Sequence, residues 1–256
     1  MAASIPHASI PHTALLLRLQ PLGEADYIVS LLTLNAGRVD ALARGARSSR
    51  RRFAGVLRPF CRVAAEVEPP RRGSLATLKS ADLLEDLAGD ALSYPQLCLA
   101  AYLSELALQV AQADHAEPAL FHWLADRWPW CRQLADADLP AAKLAAEVAW
   151  LHVGGVLPDL LHCSRCSALL VSGGSWPADL DGLGCPDCLH APRDWVPAAS
   201  LAALVQAAHR SDLQTALALP PESRLTLDDR VRRLVGQTAP GQLRAEKALR
   251  DCIRLG

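Results

Sequence analysis

No stretch of the chain reaches the roughly eighteen uninterrupted apolar residues that a membrane-spanning helix needs. The opening, Met1 to His12, has no basic segment followed by an apolar core, so no secretory signal is visible and a cytoplasmic location, nucleoid-associated when on DNA, is expected. Catalytic signatures are missing too. There is no His-Glu-x-x-His and no Gly-x-Ser-x-Gly. Gly236-x4-Gly241 mimics phosphate-loop spacing, but Gln242 and Leu243 stand where Lys and Ser or Thr would contact phosphate and Mg²⁺. The acid pairs Asp136/Asp138 and Asp228/Asp229 fit turns and helix starts. A non-enzyme is expected. Lysine is scarce: Lys79, Lys143 and Lys247 are the only three, so the positive charge is arginine. Arginine suits phosphate oxygens and stacks on bases, although a GC-rich genome gives the same bias.

What is present is asymmetric. Net charge is −1 over 256 residues, but residues 1–80 hold twelve Arg and Lys against five Asp and Glu. The remainder is acidic. A basic amino-terminal third is the split expected where one domain meets a polyanion. Within it, Arg38, Arg44, Arg47, Arg50, Arg51, Arg52 and Arg58 lie close together with Asp40 as the single acid, and Arg71 and Arg72 follow. The run from Gly45 to Arg52 lacks large apolar residues and is expected to be an exposed loop that contacts phosphates. A solvated loop without a ligand is the competing reading. A second cluster, from Arg230 through Arg254, could extend that surface or be solvated helix faces.

The periodicity changes once. Residues 13–80 read as five short strands, Thr13–Leu19, Tyr27–Leu34, Val39–Ala46, Cys61–Glu68 and Leu75–Lys79, separated by turn signals. Five short strands in this length suggest a small barrel. Asn35-Ala36-Gly37 fits a tight hairpin with Gly37 free to take positive φ. From Leu83 onward apolar residues recur at helical spacing: Tyr94–Ala113, Ala119–Leu134, Ala141–Val156, Pro197–His209, Arg224–Val235 and Gln242–Arg254. The expected organisation is a tail over 1–12, carrying the repeat Ala3–His7 and Ala8–His12, and a barrel over 13–80. Helices follow over 81–160, a cysteine module over 161–194, and further helices over 195–256. The fold class is α+β.

Without an export signal, the eight cysteines read as thiols or ligands rather than disulfides. Cys163-Ser-Arg-Cys166 and Cys185-Pro-Asp-Cys188 form C-x2-C-x18-C-x2-C. Two such knuckles complete a tetrahedron around Zn²⁺, and the turn-rich segment between them suits a hairpin carrying the second knuckle. Structural zinc is favoured over a redox dithiol, for which no thioredoxin-like context is seen. It is favoured over catalytic zinc because four thiolates close the coordination shell. Cys61, Cys98, Cys131 and Cys252 read as buried thiols, and His162 as a neighbour of the first knuckle.

These residues also carry a resemblance. Gly23-Glu-x-Asp26, Leu31-Leu-Thr33, Gly37-Arg-Val39, Ala43-Arg-Gly-Ala-Arg47, Arg52-Phe-Ala-Gly55 and Leu57-x-Pro-Phe60 resemble, in order, the amino-terminal signature of the RecO family. Leu157-Pro-Asp159 with Cys163-x-x-Cys166, and Gly184-Cys-x-x-Cys188, are similar to its zinc-bearing members. The resemblance is collinear over about residues 13–190. It implies an oligonucleotide-binding (OB) barrel followed by a helical domain holding the zinc module. It implies binding of single- and double-stranded DNA, annealing of strands, and action with RecR to help RecA replace single-strand-binding protein (SSB), whose acidic tail the family contacts. By position, Arg44 and Arg47 through Arg52 fall in the family's basic barrel loop. A zinc-containing transcription regulator is the alternative, and it would need a recognition helix that is not evident.

Overall fold

In the computed structural model, the described residues are 9–49, 51–53, 55–70, 73, 75–89, 92–177, 180–189, 194–209, 218–239 and 241–255. The chain forms two compact units, one ending at Arg132 and one beginning at Gln133.

The first unit is built on five strands, β1 (Ile10–Leu22), β2 (Asp26–Thr33), β3 (Gly37–Ala43), β4 (Cys61–Glu68) and β5 (Ala76–Asp86). They close in the order β1-β2-β3-β5-β4, with β1 returning to β4. All neighbours are antiparallel except β3 and β5, which pair in parallel at Ala41–Ala76 and Leu42–Thr77. This is the expected OB-type barrel. Its interior is filled by alternate, mostly small residues: Ala14, Leu16, Val29, Leu31, Ala41, Ala43, Cys61, Val63, Ala65 and Leu78. A five-stranded barrel is narrow, and alanine at every second position leaves room for the few large side chains.

Two boundaries differ from the sequence reading. β1 begins at Ile10, where Ile10, Pro11 and His12 pair with Val67, Glu66 and Ala65. Residues 10–12 are therefore strand rather than tail, because β4 offers a full-length partner; residues 1–8 lie outside the described residues. β5 runs on to Asp86 because the whole of β4, back to Cys61, has a partner there.

The helices α1 (Tyr94–Val110) and α2 (Pro118–Cys131) lie in the same compact unit as the barrel. Ser93 caps α1 through a capping box with Gln96, and Pro95 lies in the first turn. α1 packs on β1, so Leu15 and Leu17, facing away from the barrel interior, are buried as well. Phe60 meets Trp128 edge-on with ring centres 5.5 Å apart, and the Trp128 indole N–H donates to the Ala100 carbonyl at 3.3 Å. Helical periodicity reveals an apolar face but not which element covers it.

The β2–β3 turn is locked from several sides. The Thr33 hydroxyl donates to the Gly37 carbonyl at 2.8 Å and accepts the Ala36 N–H at 3.0 Å. Gly37 sits at φ 68°, and a Cβ there would lie 2.2 Å from the His115 carbonyl oxygen and 2.3 Å from that of Gln112. The Arg38 N–H donates to that same Gln112 oxygen at 2.8 Å.

The second unit is organised around α3 (Leu139–Val153), which follows a short 3-10 turn at Asp136–Asp138. Nearly every α3 residue is buried, and alanine dominates its contact faces. Strands β6 (Gly173–Ser175) and β7 (Trp195–Pro197) pair in a small ribbon, then come α4 (Ala198–His209), α5 (Pro221–Thr238) and α6 (Arg244–Leu255). Lys143 and Glu147 on α3 are almost fully buried and 2.9 Å apart, and Asp228 of α5 reaches the same ammonium at 3.0 Å. Asp228 thus fixes a helix contact. Burial alone would lower the Lys143 pKa, but Glu147 and Asp228 outweigh it and raise it. Removing one partner from such a buried pair costs about 3–5 kcal/mol, so the trio holds α3 and α5 in one register.

Gly37→Ala is expected to destabilise the protein by roughly 2–4 kcal/mol, through strained φ and collision with two carbonyls. Chemical denaturation followed by circular dichroism checks this.

Candidate nucleic-acid interface and metal centre

The arginine-rich segment between β3 and β4 is exposed, yet its backbone is held. The Gly45 N–H donates to the Asp26 carboxylate at 2.7 Å, and the Arg47 N–H to the Ala25 carbonyl at 3.1 Å. At its far end the Arg52 carbonyl accepts the Ala81 N–H of β5 at 3.1 Å, and the Phe53 ring is buried in the barrel core. These anchors explain Gly23-Glu-x-Asp26: the turn after β1 presents a carboxylate to the start of the loop. The sequence reading did not pair Asp26 with Gly45, since nothing in one strand's pattern announces a contact 19 residues away.

The predicted arginines divide into two groups. Arg44, Arg47, Arg51 and Arg52 are exposed, and among the described residues none has a carboxylate within ion-pair distance. Arg47 donates to the Gly23 carbonyl at 3.3 Å and Arg52 to the Arg44 carbonyl at 2.6 Å, so backbone acceptors tether both without neutralising them. The Arg52 guanidinium also lies 5.1 Å over the Phe53 ring.

Arg38 and Arg58 are different. Arg38 is half-buried, pairs with Asp40 at 2.8 Å and reaches the Leu108 carbonyl at 3.5 Å; Asp40 in turn accepts from Ser30 at 2.6 Å. Arg58 pairs with Asp86 at 2.6 Å. Both serve the barrel's own cohesion. Asp40, two residues from Arg38 and therefore on the same strand face, is the signal that could have separated Arg38 from the loop set. Arg50, Arg71 and Arg72 lie outside the described residues.

Tyr27, Phe53 and Phe60 are the barrel's only aromatic residues. Phe53 is buried, Tyr27 packs against the barrel core, and Phe60 is engaged with Trp128. The barrel therefore presents cations and no free aromatic platform among the described residues. The second basic cluster is only partly neutralised at home, with three arginines sharing one carboxylate. Asp229 sits 2.8 Å from Arg232, 3.2 Å from Arg233 and 3.5 Å from Arg230, and Glu246 is 3.5 Å from Arg250. The hydrogen bond from Arg232, with Arg233 and Arg230 beside it, holds the Asp229 carboxyl below the usual carboxylate range.

The cysteines come together as their spacing predicts. The four sulfurs of Cys163, Cys166, Cys185 and Cys188 lie within 4.8 Å of one another, with Cys166 and Cys185 at 3.7 Å. A tetrahedron with metal–sulfur bonds of about 2.3 Å has edges of about 3.8 Å, so the set can hold a metal ion. The first knuckle turns through Ser167 N–H to Cys163 C=O (2.8 Å), with Cys163 N–H bonded to Ala168 C=O (2.8 Å). The second rides on a hairpin: Ser175 and Gly184 exchange backbone hydrogen bonds at 3.1 and 2.8 Å, which places Cys185 beside the first knuckle. The Cys185 N–H points at the Cys163 sulfur at 3.4 Å. Burial pushes the Cys163 thiol up, but N–H groups of Cys185, Cys166 and Arg165 outweigh it and hold it at about 6. The neighbouring sulfurs raise the Cys166 and Cys188 thiols in turn, so a bound cation would be what favours the thiolate form of all four.

His162 is bonded to the Asp159 carboxylate at 2.8 Å and stands outside the cluster. Asp159 also accepts the N–H groups of Leu161 and His162 at 2.8 and 3.2 Å, which turns the chain from α3 toward the first knuckle. Cys61, Cys98 and Cys131 are buried, and burial pushes the Cys131 thiol up to about 12, so it is inert. Cys252 is only half-buried.

The comparisons with known proteins match this arrangement. The profile for "Recombination protein O N terminal" matches residues 9–87, and that for "Recombination protein O C terminal" matches residues 92–246. The chain belongs to the RecO family. Among curated relatives, the DNA repair protein RecO of Anaeromyxobacter sp. strain K is 34% identical over 198 residues, 76% of this chain and 77% of its own. That of Anaeromyxobacter sp. strain Fw109-5 is 31% identical over 214 residues, covering 82% and 83%. That of Syntrophotalea carbinolica is 32% identical over 168 residues, covering 65% and 64%. The amino-terminal RecO profile ends within a residue of β5, and the carboxy-terminal one spans the helices and the cysteine module. No helix among the described residues is long and apolar enough to cross a membrane.

One thiolate-bound metal ion per chain is expected. Replacing it with Co²⁺ should give a sulfur-to-metal charge-transfer absorption that Cys185→Ser weakens or abolishes; an unchanged spectrum in that variant would remove Cys185 from the ligand set.

Proposed function

We propose that the chain is a non-enzymatic recombination mediator in DNA repair, which binds and anneals DNA strands and, with RecR, helps RecA load onto SSB-coated single strands. Membership of the RecO family supports the repair role. The observation that carries the DNA reading is the held arginine loop: four exposed guanidinium groups, without carboxylate partners among the described residues, on a backbone fixed to the barrel at both ends. Recognition is by phosphate. No free aromatic in the barrel is available for stacking, and phosphate contact is indifferent to sequence. A protein that must act on any broken stretch of DNA needs that indifference.

The metal is zinc, and its role is folding. Four thiolates close a tetrahedral shell and leave no open position for a reacting water. The acidic tail of SSB is assigned to the second unit. A cleft of about 190 Å³ there is lined by Arg224, Arg232 and Arg250 with Leu225 and Ile253, and by Asp228, whose carboxylate is taken up by Lys143, so it combines cations with apolar surface. The protein acts in the cytoplasm, on the nucleoid when bound to DNA.

Fluorescence anisotropy with mixed-sequence single-stranded and duplex DNA across a salt series tests the reading. Changing Arg50, Arg51 and Arg52 to Glu should weaken binding to every sequence alike and lower the log–log salt slope by about two or more. A loss confined to particular sequences would favour the transcription-regulator reading instead.

A further inference from the structure

α3 and α4 approach closely because Ala145 and Ala207, both fully buried, meet where they pack. The small side chains bring the carboxy-terminal ends of the two helices together, and each last turn carries a histidine. The rings of His152 and His209 lie with centres 4.3 Å apart and planes at 73°. Both residues are exposed, and both line a cleft of about 330 Å³ whose other wall includes Leu157, Pro158 and Asp159. Neither imidazole has a carboxylate partner among the described residues, and the family's DNA and thiolate sites use neither.

We propose that His152 and His209 form a second, open site for a divalent transition-metal ion, distinct from the four cysteines. The geometry selects among ions. With a metal–nitrogen bond of about 2.1 Å and a ring centre about 1.2 Å behind the nitrogen, two imidazoles on adjacent corners of a tetragonal ion have centres about 4.7 Å apart. On a tetrahedral ion they stand about 5.4 Å apart. The observed separation lies nearer the right-angled value, so a Ni²⁺- or Cu²⁺-like ion fits better than tetrahedral Zn²⁺. Water would fill the remaining positions; the Asp159 carboxylate across the cleft has one oxygen engaged by His162. Burial, with His209 beside it, holds the His152 imidazole below its usual pKa, so it is neutral and keeps a lone pair for a metal near neutral pH.

An ion there would staple the ends of the two helices between which the cysteine module is inserted. α3 leads into the first knuckle, and α4 leaves the β6–β7 ribbon that carries the second.

The test uses the full chain loaded with zinc, in a His7→Ala/His12→Ala background that removes the amino-terminal histidines. Calorimetric titration with Ni²⁺ near neutral pH should show one saturable ion per chain beyond the zinc. Either His152→Ala or His209→Ala should weaken it roughly tenfold or more, with zinc content unchanged. Because both histidines are exposed, the variants should remain folded, which circular dichroism verifies. Absence of saturable Ni²⁺ binding, or equal affinity in both variants, would overturn the site. Tighter binding of Zn²⁺ than of Ni²⁺ at this site would overturn the right-angled geometry.

Discussion

The short hydrogen bond from the Gly45 N–H to the Asp26 carboxylate is the contact on which the proposed DNA interface depends. It joins the turn after β1 to the first residue of the arginine loop, and the burial of Phe53 in the barrel does the same at the other end. Between these points the chain carries a high density of positive charge, which by mutual repulsion would extend a free loop. Held at both ends, it instead keeps its guanidinium groups outward at little further entropic cost when a polyanion arrives. The barrel is the rigid part that makes this possible. Its interior is closed by alternating small residues, and Gly37 with the chain after α1 fixes the hairpin at the start of β3.

The cysteine module solves a different problem by the same means. The hairpin and the first knuckle bury only a few large apolar side chains, Leu170, Trp176 and Leu183, and leave Leu169 and Val171 exposed. A metal ion held by the four gathered sulfurs would supply what a small core cannot, since a structural metal in such modules contributes roughly 10–16 kcal/mol at neutral pH. Amide N–H groups around Cys163 stabilise its charge before any ion is considered. The module and the Lys143–Glu147–Asp228 trio both place specific charge chemistry where hydrophobic packing alone would leave helix register undetermined.

Much of this was legible in the sequence because it rests on local spacing. The two Cys-x-x-Cys pairs, the Asn35-Ala36-Gly37 turn, the Ser93 cap and the strand and helix periods all act within a few residues. What was not legible depends on distant partners. Arg58 looks like its neighbours in the chain, and only the fold reveals Asp86 beside it. The amphipathic faces of α1 and α2 gave no sign that these helices join the barrel in one compact unit. Ile10 to His12 read as tail because prolines and a repeat suggested it, whereas the free edge of β4 decided otherwise. His152 and His209 are 57 residues apart, and no motif links them.

The central claim is that the arginine loop is held before DNA arrives. Residue-resolved amide hydrogen exchange, with and without single-stranded DNA, tests it most directly. The account predicts that the Gly45, Arg47 and Ala81 amides are protected in the free protein and that protection across the loop rises on DNA. Unprotected Gly45 and Arg47 amides in the free protein, or a loop unchanged by DNA, would contradict it.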